Sequence, residues 1–142
     1  MRMLAALATG AILLSRALGA QATSDGLQQV ATMKQLMVDI IHPAANSIIL
    51  VVNRGGPGDE KEWAEVRRSA MTLAESANLL IMRNRAPNWM ADARLLTDVG
   101  TAAYKAAESK DATALAALTA RLDASCTTCH RQFRPAVFPP AR

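Results

Sequence analysis

Three interruptions constrain the fold of this chain more than any other feature: Arg54-Gly55-Gly56-Pro57-Gly58, Asn84-Arg85-Ala86-Pro87 and Ser109-Lys110-Asp111. Glycine admits backbone conformations that other residues avoid, and proline cannot donate a backbone hydrogen bond, so such clusters end regular structure. Between the breaks, apolar residues recur at steps of three and four and never alternate strictly, which predicts four helices and no strands. Long helices with short connections favour antiparallel neighbours. The expected fold is therefore all-α, an antiparallel up-down-up-down four-helix bundle with an extended tail from Pro139-Pro140 onwards.

The second segment is the sharpest, with Trp63, Val66, Ala70, Leu73, Ala77 and Leu80 forming a narrow seam. Asp59 followed by Glu62 marks its start as a capping box, in which one side chain takes a free amide and the other reaches back. In the first segment Val30, Met33, Met37, Ile40, Ala44 and Ile48 share a face. Pro43 falls inside that pattern and cannot bond to residue 39, so a kink is expected near His42. The third segment starts at Pro87 and runs through Trp89, Ala93, Leu96, Gly100 and Ala103, a face lean enough for another body to come close. The fourth extends from Asp111 as N-cap through Leu115, Leu118, Leu122 and Cys126 to Phe133, before Pro135.

Residues 1–22 combine a basic start (Arg2), an apolar stretch from Met3 to Leu14 and small residues ending in Ala20-Gln21-Ala22. This pattern predicts a signal peptide cleaved after Ala22, leaving residues 23–142 as one domain in a bacterial-type periplasm. Cleavage removes Arg2 and Arg16, so 14 of the 16 basic residues face 12 acidic ones, a formal charge of +2. That modest charge has no basic run with interleaved aromatics, and so no nucleic-acid footprint. No continuous apolar run reaches the roughly 18 residues of a membrane span, and a soluble domain is expected. With two Trp, one Tyr and two Phe in 142 residues, the core must be built from small and aliphatic groups. A bulky buried cofactor would add the apolar contact that such a core lacks.

Both cysteines and one of the two histidines lie in one pentapeptide, Cys126-Thr127-Thr128-Cys129-His130. This is the signature of covalent c-type haem attachment. Two thiols add to the two vinyl groups of one porphyrin, and the next imidazole must reach the iron. On a helix, positions three and four apart project to one side, as that chemistry requires. Other uses of the same residues are a Cys126–Cys129 disulfide, a redox-active pair, or a zinc site completed by His42. A redox pair belongs beside a βαβ pattern, which is lacking here, and a closed zinc site would consume every Cys and His in the chain.

Only 12 residues follow His130, so upstream helices must supply the walls of such a site and any sixth ligand. Taken with the helical pattern from Val30 to Arg134, the stretch Cys-Thr-Thr-Cys-His-Arg-Gln-Phe-Arg at 126–134 resembles the cytochrome c prime family, the class II c-type cytochromes. That resemblance implies one haem c, with thioether links to Cys126 and Cys129, His130 as proximal iron ligand, and a residue of the first helix over the distal face. Matching by apolar pattern brings Met37 to the distal position, with Met33 one turn earlier as second candidate. Where the family often carries an arginine one turn before the distal residue, this chain has Met33 beside Lys34. His42 lies five residues past Met37 and at about 100° per residue is turned away from the Met33/Met37 stripe.

Thioether sulfur is an axial ligand that haem iron accepts, although methionine on an apolar helix face commonly just fills space. With Met37 bound, the resemblance implies a low-spin carrier of single electrons that transforms no substrate and exchanges electrons with redox partner proteins. With Met37 only crowding the iron, it implies a five-coordinate protein that binds NO or CO. No set of distal His, Arg or carboxylate groups supports catalysis. The resemblance also implies a homodimer, for which Ile49 and Val52 are spare apolar positions on the first helix.

Overall fold

Residues 28–83 and 86–139 are described by a computed structural model, and among them are four helices and no strand. These are α1 (Met33–Asn53), α2 (Glu60–Arg83), α3 (Pro87–Glu108) and α4 (Ala112–Phe133). The expected signal peptide lies outside the described residues, as does the tail beyond Pro139. The helix starts follow from capping chemistry. Asp111 Oδ1 accepts the Ala114 N–H at 2.8 Å at the start of α4, and Asp59 Oδ1 accepts the Glu62 N–H at 2.8 Å at the start of α2. The expected capping box at Asp59 is only half formed. Glu62 reaches past it to the Gly58 N–H at 2.7 Å and pairs with Arg54 at 3.2 Å. A complete box forms instead at α1, where Thr32 and Gln35 exchange side-chain and backbone bonds.

The seam read on the second segment is the inner face of α2: Val66, Ala70, Leu73, Ala77 and Leu80 are all buried, while Trp63 is half-buried. α3 packs along it most extensively, α4 packs on α3, and α1 lies against both α2 and α4, an arrangement compatible with a helical bundle. Leu36, Leu73 and Leu115 are fully buried, so α1, α2 and α4 all feed one core.

α1 departs from regular α-helix at Leu36–Ile41, which forms a π-helical turn. The His42 N–H donates to the Met37 carbonyl, an i to i+5 bond. Pro43 supplies the cause: its ring crowds the carbonyl four residues back and it has no N–H to offer, and widening the turn just upstream relieves both. The disturbance expected near His42 takes this form. α1 also has a mean hydropathy of 1.5 over a span-length window, enough to cross a membrane by length and composition alone. Reading only for unbroken apolar runs misses this, because Asp39, His42, Asn46 and Ser47 interrupt the run. Six apolar side chains of α1 are nonetheless buried in the core: Leu36, Ile41, Ala44, Ala45, Ile48 and Val51.

Candidate functional site

The last two turns of α4 hold Cys126, Cys129 and His130 at helical spacing, so all three face one side and line one cleft of about 370 Å³. The opposing wall comes from α1, chiefly Met37, Ile41 and His42, and the floor from Leu80 of α2 with Trp89, Ala93 and Leu96 of α3. Trp89 is fixed in place. Its Nε1–H donates to the Leu80 carbonyl at 2.7 Å, and its ring meets Phe133 edge-on with centroids 4.8 Å apart. A largely apolar hollow of this size suits a small molecule or cofactor held by a few polar groups.

Both cysteines are free thiols and half-buried. Burial pushes the Cys129 thiol up to about 11, with further contributions from the negative charge of Asp92 and from Cys126. Burial also raises Cys126, offset in part by a hydrogen bond from Ser125 and reinforced by Asp123. Among the described residues, no group of three or more His, Cys, Asp and Glu side chains is arranged to hold a metal ion, so the zinc alternative has no geometry behind it.

His130 is shifted the other way. Burial, and then the positive charge of Arg134, lower its pKa and favour the neutral imidazole, the form whose nitrogen lone pair can bind a metal. The segment after α4 turns back: the Val137 and Phe138 N–H groups both donate to the Arg134 carbonyl at 3.0 Å. Phe138 thereby stacks on the His130 ring with centroids 4.7 Å apart.

Of the distal candidates read from sequence, Met37 lines the cleft, whereas Met33 packs against the core outside it. His42 corrects the sequence reading. At α-helical pitch it would face away from Met37, but the π turn makes it the residue one turn on, and it too lines the cleft. Sequence reasoning also missed Phe138 and Asp92. Phe138 carried no local signal, because it lies beyond the helix and enters only by the turn at Arg134. Asp92 did carry one: it stands three residues after Trp89 and four before Leu96, a carboxylate on an apolar stripe. It is 8% exposed, and its Oδ2 has no hydrogen-bond partner among the described residues.

Comparison with protein-family models, curated proteins and solved structures finds no match to this chain.

Proposed function

We propose that this protein is an exported, periplasmic c-type haem protein that carries single electrons, a relative of the cytochrome c prime family with one haem c in the cleft between α1 and α4. One observation carries this reading: Cys126, Cys129 and His130 line the same apolar cleft as Met37, although about 90 residues separate the two sets. The donor set suits the group. Two thiols would give thioether links, and an imidazole nitrogen and a thioether sulfur would serve as iron ligands. Bound haem supplies the reversible one-electron chemistry of its iron.

The chain's own residues do the rest. Cys126 and Cys129 would anchor the ring covalently, and His130 and Met37 would bind its iron. Ile41, Leu80, Trp89 and Leu96 keep water out, and with the thioether ligand this raises the reduction potential. Phe138, which lines the same cleft, stacks on the His130 ring and limits its rotation. The four helices form an antiparallel up-down-up-down bundle in this reading, and no substrate is transformed.

Optical and EPR spectra of protein matured in a periplasm, beside its Met37→Ala variant, test the assignment. A low-spin wild type and a high-spin variant are expected. A colourless wild type overturns haem attachment, and a high-spin wild type leaves the five-coordinate, NO- or CO-binding alternative. A variant that stays low-spin gives the sixth position to His42.

A homodimer is part of the proposal. Ile49 and Val52, read from sequence as spare, pack against the core instead; Val38 and Leu50 of α1 are 56% and 51% exposed, an apolar surface that a second copy would cover. Sedimentation equilibrium at micromolar concentration is expected to give twice the chain mass, and a monomer there rejects the dimer.

A further inference from the structure

α3 carries a charge-bearing side chain where its pattern calls for an apolar one. Asp92 lies on the cleft-facing stripe between Trp89 and Leu96, more than nine-tenths buried, with Oδ2 unbonded among the described residues. A carboxylate oxygen without a donor in an apolar setting is costly, and leucine or asparagine would fill the space at less cost. Packing therefore does not account for it. Among the described residues no cation pairs with it: the ion pairs there are Arg54–Glu62 and Lys110–Glu60, at the other end of α2. Asp92 and Cys129 line the same cleft, so the carboxyl lies where it can act on whatever the cleft holds.

We propose that Asp92 is a potential-setting residue, its buried carboxylate lining the same cleft as Cys129 and favouring the oxidised, more positive iron over the reduced one. The proposal rests on the haem reading above. Thioether ligation by Met37 and exclusion of water both raise the potential, and a fixed negative charge opposes them. Asp123 lines the same cleft but is exposed, so solvent and salt screen it. It therefore serves as the internal control.

The test is a redox titration at pH 7 of the intact haem-loaded protein, comparing wild type, Asp92→Asn and Asp123→Asn, with optical spectra of both oxidation states. Asp92→Asn is expected to keep the wild-type spectrum and to raise the equilibrium constant for reduction about tenfold, which is ~59 mV for a one-electron couple. Asp123→Asn is expected to move it less than about twofold, as a screened surface charge should. Asp92→Leu, which removes the charge and the polar group together, is expected to match Asp92→Asn and gives a second route should asparagine disturb maturation. A coloured Asp92→Asn or Asp92→Leu protein with unchanged potential overturns the proposal and leaves the haem reading intact. An equal shift in Asp123→Asn also overturns it, because any nearby carboxylate would then serve. A colourless wild type overturns both readings together.

Discussion

Trp89→Ala is expected to destabilise the protein by about 3–5 kcal/mol, the range for removing a large buried aromatic side chain. Trp89 is buried to 8% exposure, and three separate contacts depend on it. It packs between α2 and α4, donates to the Leu80 carbonyl at 2.7 Å, and meets Phe133 edge-on. Alanine leaves a cavity on the floor of the cleft that neighbouring helices cannot fill without moving. Trp89→Phe keeps most of the apolar area but loses the hydrogen bond, and its expected cost is nearer 1 kcal/mol beyond any packing change. Denaturant unfolding of both variants checks the order. A cost under about 1 kcal/mol for alanine would show that Trp89 is a passive lining residue.

Gly100→Ala is the second large effect, and its sign runs against helix propensity. Glycine inside an exposed helix is worse than alanine by about 0.8–1.0 kcal/mol, so on local grounds the change should stabilise α3. At this position an added Cβ would lie 2.7 Å from the Ala74 backbone nitrogen, 3.1 Å from the Ala74 Cα and 3.2 Å from the Leu73 Cβ. The first two are backbone atoms of α2 and cannot rotate aside. α2 and α3 must separate along the seam that carries most of the interhelical packing, and such overpacking costs typically 1–3 kcal/mol or more. A net loss of about 1–2 kcal/mol is expected for Gly100→Ala, with a melting temperature lower by several degrees, and a larger loss for Gly100→Val. A more stable alanine variant would mean that the two helices do not approach this closely in solution.

Gly100 also illustrates how far the sequence could be read. The lean face of Trp89, Ala93, Leu96, Gly100 and Ala103 announces that something comes close, without saying what. Around Gly100 the visitor is the backbone of α2, and around Trp89, Ala93 and Leu96 it is the cleft. Met37 was legible as a distal candidate because apolar spacing assigns it to the buried side of α1. His42 was not, since the argument that turned it away assumed a uniform pitch of about 100° per residue. Pro43 marks a disturbance in the sequence, but its spacing does not say that the chain relieves it by a π turn over Leu36–Ile41 rather than by a kink. Phe138 reaches His130 only through the turn that follows Arg134, a contact with no periodicity to betray it.

From residues alone came the four helices, the caps at Asp59 and Asp111, and the Cys126-Thr127-Thr128-Cys129-His130 pentapeptide. All of these express interactions within a few positions of one another: the turn of a helix, a side chain on a nearby amide, two thiols and an imidazole at fixed offsets. Tertiary packing decided which faces meet: that α1 lays Met37 and His42 opposite the pentapeptide of α4, and that α3 carries Asp92 unpaired into the space between them. Spacing tells a helix which side to bury but carries no information about its partner. The partner is chosen by shape and volume across the helices that meet, which no local spacing encodes.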